Sequence, residues 1–253
     1  MFRPARTGCI FSRSSLSRFE EQVSRTIRIA SVHSHIITAG KLVTVRRTIP
    51  VIGLLGGIGS GKTFLARELA RRHNIVIVEG DAAGHAVLKL EPVKAALRSR
   101  FGPAVFTPDG EVDRRALGRQ VFGAGPAERQ ARTDLEQIVH PRIRELLAGR
   151  IQQARLEPTT EAVVLDAAIL LEAGWRHLCD ALIFLDVPDE QRLQRVLENR
   201  GWSANEFLTR EASQLSLELK KGESQYVVDN SGSPEQAVNQ LEQIYSQIMD
   251  DLT

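Results

Sequence analysis

The stretch Val51-Ile-Gly-Leu-Leu-Gly56-Gly-Ile-Gly-Ser-Gly61-Lys62-Thr63 decides how the rest of the chain is read. A short apolar run of strand type passes through four glycines in six residues. It then enters Phe64-Leu-Ala-Arg-Glu-Leu-Ala-Arg-Arg72, which has the spacing of an amphipathic helix. Gly56, Gly61, Lys62 and Thr63 satisfy the phosphate-loop pattern G-x-x-x-x-G-K-[ST]. Glycine tolerates backbone angles closed to other residues and has no Cβ, so consecutive N–H groups can turn inward onto a polyphosphate. A helix starting near Lys62 aims its unpaired N–H groups and positive end at the same anion. Lys62 can then reach the β- and γ-phosphates, and the Thr63 hydroxyl can ligate Mg²⁺. A glycine-rich turn with an exposed lysine would match the same letters, but the strand before and the helix after are the context the motif requires. The expectation is a nucleoside triphosphate held by Gly57, Ile58, Gly59, Ser60, Gly61, Lys62 and Thr63, with Thr63 as the metal ligand.

Outward from this loop the pattern is that of an α/β sheet. Ile75-Val-Ile-Val78 is all apolar, as an interior strand of a parallel sheet should be, and makes a βαβ unit with the first strand and its helix. Glu79-Gly80-Asp81 follows at the strand's carboxyl end, where open α/β sheets bind ligands. Asp81 suits two roles equally, a catalytic carboxylate and the N-cap of a helix over 82–88. Residues 91–161 carry helical spacing without sheet, in segments 93–101, 113–122 and 126–155, and His140-Pro141 predicts a kink or break in the third. Arg114, Arg142 and Arg144 in this insertion could meet an anionic substrate or simply be solvated. Ala162-Val-Val-Leu165 closes on Asp166 in the manner of a Walker-B strand, and Ala167 stands where many ATP hydrolases have a glutamate. Further strands are expected at 181–185 and 226–228. Between them lie a helix at 189–198 and a charged helical stretch, 200–223, of the composition of a mobile lid over phosphates. A last helix over 235–250 turns Val238, Leu241, Ile244, Tyr245 and Ile248 inward.

At 253 residues the chain is long enough for a substantial core. Cys9 and Cys179 fit neither a metal spacing nor a disulfide framework, which favours a reducing compartment. No apolar run approaches the roughly 18 residues a membrane helix needs. The net charge of +2 hides an uneven distribution: residues 1–50 carry nine Lys or Arg against Glu20 and Glu21. The body of the chain is therefore slightly acidic and has no general nucleic-acid character. The leader, 1–48, is rich in Arg and Ser. It is compatible with an organelle-targeting peptide, a disordered basic tail, or upstream sequence read from too early a start, the last two being preferred. His33 and His35 within it are expected to be solvated.

From about Ile49 onward the residues resemble the dephospho-coenzyme A kinase family, through separated segments whose order and spacing are specific together. The phosphate loop matches almost letter for letter. Phe101-Gly102, Asp109-Gly110 and Asp113-Arg114 with Leu117 and Phe122 are similar to the family's acceptor-domain pattern. His140-Pro141-Arg-Ile143, Leu170-Leu171-Glu172, Gln214-Leu-Ser-Leu-Glu-Leu-Lys220 and Val227-Val-Asp-Asn230-Ser-Gly232 complete it. The chain departs from the pattern in several places: a Phe is missing before Glu172, Ala168 stands for a usual proline, and Gln225 replaces a common aspartate. Glu79-Gly80-Asp81 stands for Asp-Ala-Asp, keeping the second aspartate, and the usual lid arginine falls at Asn199, leaving Arg195 and Arg200 as candidates.

The resemblance implies phosphoryl transfer from ATP, with Mg²⁺, to the 3′-hydroxyl of dephospho-coenzyme A. Asp81 would be the catalytic base, Lys62 and Arg200 would steady the transferring phosphoryl group, and Asn230 would contact the nucleotide. It implies a P-loop NTPase three-layer α/β fold with a parallel sheet (core 49–90, 162–199 and 224–253), a helical acceptor-binding insertion (91–161) and a helical lid (200–223). A monomer or small homo-oligomer is expected, with no nucleic-acid or membrane partner. The expected location is cytoplasmic, or mitochondrial if residues 1–48 are a transit peptide. A kinase for a nucleoside or nucleotide shares the fold and is the alternative. A nucleotide-dependent switch is disfavoured by the lack of a guanine-specific Asn/Thr-Lys-x-Asp motif.

Overall fold

The computed structural model describes residues 34–38, 41–45, 49–123 and 125–252, in a chain that divides into two units, 1–47 and 48–253. In the first unit β1 (Ser34–Thr38) and β2 (Lys41–Val45) pair antiparallel, with Thr38 opposite Lys41. The sequence reading assigned no strand here, although Ile36, Ile37, Val43, Thr44 and Val45 are residue types that suit pleated pairing. The readings of Cys9, His33 and the leader's arginines up to Arg28 lie outside the described residues.

The second unit is built on five parallel strands: β3 (Val51–Leu55), β4 (Ile75–Glu79), β5 (Ala162–Asp166), β6 (Ala181–Asp186) and β7 (Tyr226–Asp229). Their order is β4-β5-β3-β6-β7. Side chains alternate between the two faces of a strand. Ile52, Leu54, Val164, Ile183 and Leu185 pack on one face with Leu65 and Leu69 of α1 (Lys62–Arg72). Leu241 and Ile248 of the C-terminal helix, Pro234–Leu252, join them there. Val51, Leu55, Val163, Leu165, Leu182 and Phe184 pack on the other face, with Val87 of α2 (Gly80–Val87) and the helices of the insertion. The result is the expected three-layer α/β/α arrangement. Burial on both faces explains why the strands read as unbroken apolar runs.

The insertion comprises α3 (Glu91–Phe101), α4 (Arg114–Val121) and α5 (Pro126–Leu156). Val93, Leu97, Leu117, Ile143, Leu147 and Ile151 belong to the same apolar cluster as that face of the sheet, so the insertion is one continuous layer with it. Of the kink or break expected at Pro141, the break does not occur, because α5 runs through it. A proline deprives the helix of one N–H, whereas Val139, Ile143, Leu147 and Ile151, all buried along one side, hold both halves on the core. After α6 (Asp189–Arg200), which ends on Gly201 at φ 63°, the charged stretch divides in two. It forms α7 (Ala204–Glu211) and α8 (Leu217–Gly222). Serine N-caps cause the division: the Ser203 hydroxyl accepts from Glu206 N at 3.2 Å and the Ser216 hydroxyl from Leu219 N at 3.3 Å. The C-terminal helix is thus α9.

Candidate active site

Three parallel strands end side by side at one edge of the sheet. Register pairs Asp166 of β5 with Leu54 of β3 on one side and with Glu79 of β4 on the other. The phosphate loop leaves β3 next to Asp166, and Asp81 follows β4. Gly59 and Gly61, at φ 80° and 90°, take left-handed conformations that L side chains rarely adopt. Gly59 also has no room for a side chain, since a Cβ there would lie 2.6 Å from the Arg192 carbonyl oxygen. Gly61 is the N-cap of α1, so the helix opens directly on the loop. A cavity of about 380 Å³ follows, lined by Ile58 to Phe64 of the loop and helix, with Asp81, Asp166, Arg195 and Arg200 around it.

The Lys62 ammonium is enclosed by its own loop, donating to Gly56 O at 3.0 Å, Gly57 O at 2.9 Å and Ser60 Oγ at 3.2 Å. Burial lowers its pKa to about 8. The positive charges of Lys220 and Arg200 push the same way, against Asp166 and Asp81. A cation so poorly compensated by neutral partners is prepared for an anion. The Thr63 hydroxyl donates to Asp166 Oδ2 at 2.5 Å. Burial raises the pKa of Asp166, and the negative charges of Asp81 and Glu79 add to that, while Thr63 and Lys62 oppose it. A hydroxyl and a desolvated carboxylate joined beside a phosphate loop are hard oxygen donors, and their chemistry fits Mg²⁺ bound together with phosphate oxygens. The structure thus brings Lys62, Thr63, Asp81 and Asp166 to one cleft, as their sequence positions predict.

Asp81 is not a helix cap. Helix α2 begins at Gly80, with Glu79 at the N-cap position and no side-chain cap bond, and Asp81 lies in the first turn. The early start follows from close packing, since a Cβ on Gly80 would meet the Ala167 Cβ at 2.7 Å. The exposed Asp81 carboxylate lines the cleft instead.

Arg195 and Arg200 both line it too, with different ties. Arg195 Nη2 donates to Asn230 O at 2.9 Å. Arg200, the last residue of α6, lies 5.2 Å from the Trp202 ring centre and has no carboxylate partner among the described residues. Of the residues expected at the nucleotide, Asn230 stands behind the loop, and Gly57 within it faces Arg192. Asn230 is buried and its amide donates to Ser60 O at 2.8 Å. Gly57 backs onto Arg192, whose Nη1 would be 2.4 Å from a Cβ at that position.

The sequence reading missed two buried cations. Arg192 is 1% exposed and ion-paired with Asp189 and Glu211. Lys220, expected over the phosphates as part of the lid, is instead 1% exposed and paired with Glu172 at 2.8 Å. It also donates to Gln214 Oε1 and Ala168 O. Helical spacing could have flagged both, since each falls on the inward side of its helix. In the insertion, Arg142 pairs with Glu145 on the surface. Arg144 and His140 line a groove with Trp175, the histidine ring edge-on to the indole at 5.8 Å. Burial pulls the His140 pKa down.

Residues 50–236 match the family model described as dephospho-CoA kinase. The chain is 36% identical over 196 residues to a dephospho-CoA kinase of Geobacter sulfurreducens, covering 78% of this chain and 97% of that one. It is 38% identical over 193 residues to that of Symbiobacterium thermophilum, covering 76% and 78%. Its fold matches the solved dephospho-CoA kinase of Campylobacter jejuni with a TM-score of 0.58, at 20% identity, covering 80% of this chain and 98% of that one.

Proposed function

This chain belongs to the dephospho-CoA kinase family, and we propose that it transfers the γ-phosphoryl group of ATP to the 3′-hydroxyl of dephospho-CoA, the last step of coenzyme A synthesis. The observation that carries this reading is the cleft that unites a phosphate loop with Asp81 and Asp166 at the ends of adjacent parallel strands. Loop amides and Lys62 hold the β- and γ-phosphates, with phosphate oxygens replacing the neutral partners of the Lys62 ammonium. Thr63 and Asp166 would hold Mg²⁺, which supplies neutralisation of charge on the β- and γ-oxygens. Asp81 accepts a hydrogen bond from the ribose 3′-hydroxyl and takes its proton as the new O–P bond forms and the bond to the β-phosphate oxygen breaks. Arg200 steadies the charge on the transferring group, while Arg195 and Asn230 fix the loop from behind and Gly57 shapes it from within.

The insertion, 91–161, is read as the acceptor-binding part and 200–223 as the lid. Exclusion of water by the lid would limit wasteful hydrolysis. A cytoplasmic location fits the free, buried thiol of Cys179. The test is a turnover assay with ATP and dephospho-CoA beside a panel of nucleosides. A kcat/KM for dephospho-CoA at least about a hundredfold above every nucleoside is expected, a conservative floor for a site whose polar groups are left unpaired by the wrong substrate. A nucleoside turned over as well as dephospho-CoA would make the nucleoside-kinase reading correct.

A further inference from the structure

Beneath the crest of the phosphate loop lies a side chain that no part of the phosphoryl transfer uses. Arg192 lies in the N-terminal half of α6 and is almost wholly buried. Burying a guanidinium is costly unless its donors are satisfied, so its partners indicate what it is for. Nη1 donates to Ile58 O, at the loop crest, at 3.1 Å. The same nitrogen pairs with Glu211, the last residue of the lid helix α7, and Nη2 pairs with Asp189 at 2.8 Å. The guanidinium carbon is 5.5 Å from the ring centre of Phe207, also in α7. Nε is buried and has no hydrogen-bond partner among the described protein groups, so the group's protein contacts run through its two terminal nitrogens.

The backbone of the same residue closes the other side of the crest. A Cβ on Gly57 would displace the Arg192 guanidinium, and one on Gly59 is barred by the Arg192 carbonyl. Around them Ile58, Val196 and Phe207 form a small apolar cluster of their own, separate from both faces of the sheet. One residue of the loop crest, one of α6 and one of the lid therefore share a core. No purely structural need requires an arginine at its centre, since an apolar side chain would fill the space without the desolvation cost.

We propose that Arg192 is a positioning residue that fixes the Gly57–Gly59 crest against the lid helix, so that polyphosphate in the loop and the placing of the lid are coupled through one guanidinium. Planarity matters here. Arginine can serve Ile58 O, Glu211 and Asp189 together, whereas a lysine is a single point charge on a flexible stem. The inference rests on the reading that the loop holds ATP. It concerns how the crest is set, and it leaves the chemistry to Lys62, Asp81 and Arg200.

The test compares Arg192→Met, which keeps length and apolar bulk, with Arg192→Lys and Glu211→Gln in the full chain. Steady-state kinetics on both substrates are measured together with trypsin cleavage of the lid, with and without a non-hydrolysable ATP analogue. Arg192→Met should raise the KM for ATP about tenfold, the scale of one lost charge-assisted hydrogen bond, and leave that for dephospho-CoA within about twofold. Arg192→Lys should recover little of this. Glu211→Gln, which leaves the bond to Ile58 intact, should cost about threefold in the ATP KM and abolish protection of the lid by the analogue. The effects of Arg192→Met and Glu211→Gln should combine to less than their product, because both break one link.

An ATP KM unchanged in folded Arg192→Met, or equal changes in both substrates' KM, would overturn the proposal. If Arg192→Met does not fold, Glu211→Gln decides: full lid protection and an unchanged ATP KM refute the coupling. Loss of ATP binding in Lys62→Ala distinguishes this failure from failure of the nucleotide site itself, since it persists even where the Arg192 variants behave as the parent.

Discussion

At the scale of single residues the account turns on Lys62 and Asp81. Lys62→Ala removes a charge set against the β- and γ-phosphates and should lower turnover by about two or more powers of ten. It should not destabilise the fold, because it also removes a partly desolvated cation; near-parental turnover would contradict its role. The Lys62 pKa of about 8 adds a pH dependence with a definite sign. Phosphate binding favours the ammonium, so the pKa rises in the complex and binding takes up protons above pH 8. Affinity for ATP should thus be full below pH 8 and fall as pH rises above it, a dependence that Lys62→Ala should lack in a titration of analogue binding. For Asp81 the structure narrows the alternatives, since Glu79 holds the N-cap position and forms no side-chain cap bond. Asp81→Asn should leave the melting temperature and ATP affinity intact and cost about two or more powers of ten in kcat. Lost stability with retained turnover per folded molecule would remove it from the mechanism and make Glu79 the next candidate.

At the scale of elements, the sheet and its helices were legible in the sequence because period and punctuation agreed. The apolar runs at 51–55 and 162–165 could be nothing but interior strands once a helix pattern followed the first and an acid closed the second. Prolines and glycines then marked the ends of α6 and the start of α9. No break forms at Pro141 because the tertiary contacts of Val139 and Ile143, which local propensity does not weigh, override one missing N–H. The lid was misread for a related reason. Its charges suggest solvent, yet Lys220 lies under the cleft, joined to Glu172, whose Oε1 also accepts from Leu215 N at 3.0 Å. A charged residue facing inward needs a partner distant in sequence, and no spacing reveals one. The pair anchors α8 to the segment after β5. Lys220→Met should therefore destabilise the protein by about 3 kcal/mol, the cost of leaving a carboxylate buried alone. For a domain of this size that is a fall of about 6–12 °C in melting temperature. Glu172→Gln with Lys220→Met together should cost less than Lys220→Met alone. A melting temperature unmoved in Lys220→Met would mean the pair does not anchor the lid.

At the scale of the whole molecule, the five parallel strands and both apolar faces belong to residues after Thr48, and so do all the groups assigned to catalysis. Removing residues 1–47 should leave the melting temperature within about 2 °C and kcat within about twofold of the full chain. Insoluble or inactive protein would mean that the leader completes the fold. The candidate site was legible where one continuous motif spans it, as in Lys62 and Thr63, where a strand ends on an acid, as in Asp166, or where an acid follows two residues after a strand, as in Asp81. Asn230 was expected at the nucleotide through the family resemblance, and its bond to Ser60 O from behind the loop was not. Arg192 escaped because, although helical spacing turns it inward, its partner in the loop lies more than a hundred residues away. What unites these scales is the claim that the cleft directs one phosphoryl group from ATP to one ribose oxygen. Phosphorus NMR of the enzyme turning over ATP and dephospho-CoA tests that most directly. The account predicts one 3′-phosphomonoester formed for each ADP released, and product formed at least about a hundredfold more slowly by Lys62→Ala. Phosphate at another position, or ADP released with free phosphate and no new ester, would contradict it.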